Sequence, residues 1–575
     1  MIMTVFHRLT PRRIARVSAT VVIGAACLAL FGACATTSTA SEEKTGKEQS
    51  PATRVMVAEI ALERGECREA AENYLTVANG SDDPKLARRA TEVALACGQL
   101  QSSAAAVKRW RVLAPRDAEA ALAAAIIALK LYRLDDARAA LTQWRDSGAQ
   151  GAQDPSEFAL LLERESDSTA ALAVFSDVLA GSDPTAEVLL AQGQLALHSF
   201  DLKRAIECGR RAQELDAGNP AARALVVRAQ ALLGQADAAL SGARDIERDF
   251  ATNLEADDRF LVADVLIAFE RTEEARAELM NLRKDATLQA AADRRLGAMA
   301  MEMGDDSVAE RHFSQLVGEQ GSTAIAVYYL GRLAERRQDT GRALENYKLI
   351  ADTPLATVAR SRAASILLKR GSRVEALALF DDYARQHPEE GVELASARAQ
   401  VLADHGDFDA AHADIEAALR RYPGHPSLEY QRAALLERAG RTREAEAALD
   451  RLVRERPADP GLANALGFTL ADHNRELPRA EKLVQRALDT SPDSPAIQDS
   501  LGWIRFRQGR TQEAARMLEH AFKTGRDAEI AAHWGEALWV LGDKSGARSA
   551  WARALTVDPD NALVKTTVAR LTGEK

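Results

Sequence analysis

Aromatic residues are scarce in this 575-residue sequence: Phe, Trp and Tyr together make up 5%, although hydrophobic residues reach 47%. A sheet wants β-branched and aromatic side chains on its pleated faces, so that scarcity argues against a β architecture. Alanine fills the gap. It costs no side-chain entropy in a helix and lets two helices approach closely, which points to an all-α chain. A basic stripe is also missing. The formal charge is −10, and an acidic surface repels phosphate backbones, so nucleic acid is excluded as a partner. No HExxH, GxSxG, P-loop or dinucleotide-binding fingerprint occurs, and His405 and His412 have no metal-ligand spacing around them. The sequence therefore predicts no enzyme, no metal and no cofactor.

The longest apolar run is short and lies at the amino terminus. His7 to Arg16 is basic, and Val17 to Phe31 is apolar. That run suits a signal-peptide core better than a membrane span of ~20 residues. It ends in Phe31-Gly32-Ala33-Cys34, which resembles the lipobox of bacterial lipoproteins. The resemblance implies a signal peptide over 1–33 and acylation of Cys34. Ala35, rather than Asp, then implies release to the outer membrane, with the chain on its periplasmic face. Several acyl chains make a stable anchor, each buried methylene contributing ~0.8 kcal/mol. Residues 34–50 are rich in Ser, Thr, Glu, Lys and Gly and are predicted to form a flexible tether.

An alanine followed twelve residues later by proline recurs at Ala376 and Pro388, Ala411 and Pro423, Ala445 and Pro457, Ala480 and Pro492, and Ala547 and Pro559. This is the trace of a helical hairpin repeated every ~34 residues. The alanine marks where two helices cross with no room for a larger side chain. The proline opens the turn to the next unit, where its missing N–H does no harm. Extended along the chain, the frame places small residues on each first helix, among them Ala58, Ala125, Ala159, Gly193, Ala263, Gly297, Gly331, Gly467, Gly502 and Gly535, with poor matches at Glu92 and Val227. Helix-ending glycines follow seven residues later, at Gly65, Gly234, Gly304, Gly371, Gly406, Gly440, Gly509 and Gly542. The predicted fold is an all-α tetratricopeptide-repeat (TPR) solenoid, a right-handed superhelix of about 12–15 helix-turn-helix repeats over 51–558. A capping helix and tail occupy 559–575.

Two further readings come from the frame. Cys67 and Cys97 fall at the start of a second helix and the end of the next first helix, ends that are adjacent in such a stack. They are either bridged or two buried thiols. On the first helices, the positions three before and one after the crossing glycine are expected to face the concave groove. In the last repeats this nominates Asn464, Phe468, Asp499, Trp503, Glu536 and Trp539, with His533 near the same edge, as partner-binding residues; the bland alternative is that Trp503 and Trp539 fill gaps between repeats.

The stretches Asn464-Ala-Leu-Gly-Phe-Thr-Leu-Ala-Asp472, Asp499-Ser-Leu-Gly-Trp503 and Ala531-Ala-His-Trp-Gly-Glu-Ala-Leu-Trp539 resemble the C-terminal part of outer-membrane TPR lipoproteins of proteobacteria that partner carboxyl-terminal processing proteases. The resemblance implies a non-enzymatic adaptor, held to the membrane by its lipid anchor. It would bind such a periplasmic protease and present protein substrates such as peptidoglycan hydrolases. A scaffold role in a polysaccharide or pilus export machine is the alternative.

Overall fold

The computed structural model describes residues 50–147, 167–180, 183–250, 254–319, 321–351, 353–557 and 561–573. The signal peptide, Cys34, nearly all of the tether, Ala159 and Pro559 lie outside the described residues. Among the described residues there are thirty α-helices and no strand. Each hairpin pairs a first helix with a second, as in Pro51–Glu63 with Cys67–Asn79 and Pro495–Arg507 with Thr511–Gly525. The hairpins stack in chain order, and the chain forms an all-α TPR solenoid.

Local chemistry sets the boundaries. Proline occupies the first turn of Pro51–Glu63, Pro84–Ala96, Pro220–Leu232, Pro426–Arg438, Pro460–Asp472 and Pro495–Arg507. Its fixed φ suits a helix start, where an N–H would go unpaired anyway. Ser50, Asp83, Asn219 and Asp459 cap four of these helices by accepting backbone N–H groups. The turn inside a hairpin needs one left-handed residue, and Gly65, Gly234, Gly304, Gly371, Gly406, Gly440, Gly509 and Gly542 all have φ between 69° and 89°.

Packing inside a hairpin follows one rule. Ala70, Ala137, Ala309, Ala343, Ala376, Ala445, Ala514 and Ala547 are fully buried at the helix crossing. Four residues on, Tyr74, Leu141, Phe313, Tyr347, Phe380, Leu518 and Trp551 are at most 3% exposed. Burying each contributes ~1.5–3 kcal/mol. Phe313, Tyr347, Leu518 and Trp551 reach the facing helix because it carries glycine there, at Gly297, Gly331, Gly502 and Gly535. A methyl on Gly297 would lie 2.9 Å from the Phe313 ring, and one on Gly331 2.6 Å from Tyr347.

The two poor matches have separate physical reasons. In the second repeat the frame slips by one: Thr91 is the buried crossing residue, its hydroxyl bonded to the Ala87 carbonyl at 2.8 Å. Glu92 is exposed and pairs with Arg88. Val227 does cross at its expected place, 2% exposed, because Gly242 on the facing helix leaves it room.

The edges of the solenoid meet. After about nine and a half repeats of the ~34-residue unit, the turns within early hairpins lie against the turns between late ones, as in Gln99 beside Arg421, 322 residues apart. Arg68 donates to the Arg420 carbonyl at 3.0 Å, Gln99 to the Arg421 carbonyl at 2.9 Å, and Arg421 to the Gly65 carbonyl at 3.0 Å. A methyl on Gly98 would lie 3.5 Å from the Tyr422 ring and from Val392. Farther along, the Arg456 guanidinium lies 5.7 Å from the Tyr132 ring centre. The Asp493 N–H donates to the Phe200 carbonyl at 3.0 Å, and its carboxylate accepts from the Leu202 N–H at 3.2 Å. Arg526 ends the series, donating to the Ala268 carbonyl at 2.6 Å and pairing with Glu270 at 3.2 Å. The curved rod is a spiral that touches itself.

Cys67 and Cys97 form a disulfide with Cα atoms 5.3 Å apart, next to the first rungs of this seam. Cys208 is a free, buried thiol, and burial pushes its pKa up to about 11. At the other end the helix Ala562–Thr572 covers the last hairpin with Val564 fully buried.

Candidate partner-binding surface

The first helices of successive hairpins line one wall, and the nominated residues sit on three of them: Pro460–Asp472, Pro495–Arg507 and Ala528–Val540. Stacking brings Phe468, Asp499, Trp503 and His533 into one cluster. The His533 Nδ1 lies 2.9 and 3.1 Å from the two Asp499 oxygens. Its ring stacks on Trp503 at 4.4 Å and tilts against Phe468 at 5.8 Å. Trp503 donates its indole N–H to Asp472 at 3.2 Å. Burial pulls the His533 pKa down, and the charge and hydrogen bond of Asp499 more than offset that, holding it above its ordinary value.

Exposure sorts these residues into two groups. Asp499, Trp503, His533 and Glu536 are buried, between 5% and 8% exposed. Their polar atoms are engaged within the wall, Glu536 with Arg570 at 2.6 Å. Asn464, Phe468 and Trp539 are half-buried. Trp539 lies under the Lys544 ammonium, 3.6 Å from its ring centre, and against Trp551 at 5.6 Å. The Asn464 Oδ1 has no protein partner. Trp503 thus fills space between repeats, whereas Asn464 and Phe468 keep part of their surface open to solvent.

The spacing of these contacts carries information that residue-by-residue reading missed. Thr469 bonds Glu437 at 2.6 Å, Trp503 bonds Asp472, His533 meets Asp499, and Arg570 meets Glu536. Each pair joins one first helix to its neighbour, or to the terminal helix, so separations near the repeat length were the available signal. Two more wall residues emerge from the structure. Arg294, three before Gly297, has an Nε without a protein partner; burial, and then its neighbour Arg295, hold its guanidinium below the usual arginine range. Tyr430, three before Ala433, is 43% exposed.

Among the described residues no group of three or more His, Cys, Asp or Glu side chains could hold a metal ion. His405 bonds the Val401 carbonyl at 2.9 Å, and His412 lies 3.8 Å from Glu416. Among the same residues, no helix is long and apolar enough to cross a membrane.

A stack of helical hairpins whose described first helices line one wall defines a repeat scaffold for protein–protein contact. The tetratricopeptide-repeat family profile matches residues 157–220, 295–356, 396–460, 430–495, 465–529 and 500–562, just over half of the sequence, and the chain belongs to that family. Over 211 residues it is 35% identical to the TPR repeat-containing protein PA4667 of Pseudomonas aeruginosa, covering 37% of this chain and 36% of that one. Over 209 residues it is 24% identical to the protein O-mannosyl-transferase TMTC1 of Homo sapiens, covering 36% of this chain and 24% of that one. The matches thus span about a third and a quarter of the two relatives. Among solved structures, yeast Tom70 matches with a TM-score of 0.37 at 15% identity, covering 75% of this chain and 96% of that one.

Proposed function

We propose that the chain is a non-enzymatic adaptor, anchored through Cys34 to the periplasmic face of the outer membrane. In this reading it binds a carboxyl-terminal processing protease and presents protein substrates such as peptidoglycan hydrolases to it. The observation that carries the reading is the run of three wall helices bearing Asn464–Asp472, Asp499–Trp503 and Ala531–Trp539, which resembles the adaptor lipoproteins. The family supports the coarser half of the reading, a scaffold that holds other proteins. The partly exposed Asn464 and Phe468 supply a polar and an apolar contact on that wall.

The test is recovery of the intact lipidated chain from membranes with whatever it holds. Co-purification of a PDZ-containing periplasmic protease supports the adaptor. Recovery of synthase or secretin subunits in its place would sink it in favour of an export scaffold. Replacing Cys34 with Ser is expected to move the chain from the membrane fraction to the soluble periplasm, and an unchanged distribution would remove the anchor from the account.

A further inference from the structure

The seam is narrow and mostly polar. Most of its rungs are hydrogen bonds to backbone, among them Arg68 on Arg420, Gln99 on Arg421, Arg421 on Gly65, Arg526 on Ala268 and the Asp493 N–H on Phe200, with one apolar contact where Gly98 meets Tyr422 and Val392. The crossing alanines and the bulky residues four later pack within their own hairpins, as Phe313 does against Gly297. Along the seam the register is also incomplete: a methyl on Gly234, whose turn falls between the Phe200 and Glu270 rungs, would meet nothing within 4 Å. Such a seam is thin.

Two bulky residues in left-handed hairpin turns are engaged across the closure. Tyr132 occupies the left-handed position with φ 54°, where most other hairpin turns carry glycine. A bulky residue persists there when its surroundings compensate, and the Arg456 guanidinium across the seam supplies that contact. Phe200, also left-handed at φ 58°, accepts the Asp493 N–H across the same seam.

Late first helices carry solvent-exposed groups. Tyr430 is 43% exposed, yet burial pushes its hydroxyl pKa up. Glu393 is exposed and likewise raised by burial, with Lys130 of an early hairpin facing it.

We propose that the seam between the early within-hairpin turns and the late between-hairpin turns is a latch. It closes the solenoid on itself and must part before a folded partner can enter the interior. The Cys67–Cys97 disulfide holds the first two hairpins together beside Gly65 and Gly98, so the first rungs move as one unit. Between these hairpins and the late ones lies a cleft of ≈ 1070 Å³ bordered by Arg54, Arg64, Cys67, Arg385 and Arg421. The latch stands independently of whether the partner is a protease.

Two measurements test it. The Thr169 and Ser491 hydroxyl oxygens lie 3.5 Å apart across the seam. A Thr169→Cys/Ser491→Cys chain should therefore form an intramolecular disulfide under mild oxidation without loss of helicity. In the second, a Tyr430→Cys chain is treated with N-ethylmaleimide and with a 5-kDa polyethylene-glycol maleimide, with and without Arg421→Glu and Arg526→Glu. Those two charges would face the Gly65 carbonyl and Glu270. The account expects the small reagent to react alike in both, and the bulky one to react at least about tenfold faster when the seam is broken. Failure of the cysteine pair to bridge, or equal bulky-reagent rates in both chains, would overturn the latch. The cysteine pair keeps the test alive even if the charge-reversed chain fails to fold.

Discussion

The first and last stretches of the spiral are built from the same hairpin but held together differently. From Ala58 to Ala229 the buried apolar side chains form one unbroken core, rich in alanine and running through Ile127, Leu129, Leu141 and Leu195. Polar links between neighbouring first helices are exposed there, as in Arg89 with Glu59 at 3.2 Å, both about half exposed. From residue 392 onward the apolar core divides into smaller pieces. Directional pairs with at least one buried partner join the first helices instead: Glu437 with Thr469, Asp472 with Trp503, Asp499 with His533 (buried on both sides), and Glu536 with Arg570 as the chain passes to its cap. One repeat can therefore be stacked by area alone or by matched polar groups. The second mode fixes the rotation between hairpins, because a hydrogen bond tolerates less misalignment than apolar contact.

Substitutions can separate the two modes, and hydrogen exchange resolves them because a solenoid opens locally. The largest effect is expected from Leu129→Ala, in the unbroken core, at roughly 2–5 kcal/mol with a cavity left behind. Lost protection should spread across several early hairpins; confinement to the hairpin carrying residue 129 would mean that the core is not shared. Next is Asp499→Ala, expected to cost about 3 kcal/mol by leaving His533 buried without its partner. Its lost protection should stay within the hairpins near residues 499 and 533, and a uniform loss along the chain would erase the contrast.

The same pair gives a pH dependence. The His533 pKa is raised in the folded chain, so its stabilisation is complete below ~6.5 and is lost as pH rises through the folded value. Protection of the last hairpins should fall over that range in the native chain and not in Asp499→Ala. Removing the disulfide with Cys67→Ser and Cys97→Ser is expected to cost about 2–4 kcal/mol, restricted to the first two hairpins, since the bridge closes a loop of 30 residues. Unaltered protection there would remove the staple from the account. The smallest effect belongs to Lys523→Ala: its pairing with Glu519 is exposed and worth at most ~0.5 kcal/mol, so a larger change in exchange would contradict the assignment.

The hairpin train was legible because its markers are local. A crossing alanine, a bulky residue four later, a left-handed glycine and a following proline each obey a constraint within one unit. Where two helices share the constraint, legibility weakened. Val227 looked too large until Gly242 proved to have made room, and Thr91 took the crossing place that regular spacing had given to Glu92. The wall residues were located on the right helices, but Asp499 and His533 spend their polar groups on each other. That pairing depends on the offset between neighbouring repeats, which one repeat cannot display. The seam was the least legible feature. It arises from the summed rotation of about nine repeats, and a small error in each would bring the edges past one another.

The central claim is that this stack holds another protein for proteolysis, and purified components test it most directly. The rate at which a PDZ-containing carboxyl-terminal processing protease cleaves a peptidoglycan hydrolase is measured with and without the purified chain. The account predicts faster cleavage in its presence, with Asn464→Ala and Phe468→Ala weakening the gain. A cleavage rate that does not respond to the chain at any ratio would contradict it.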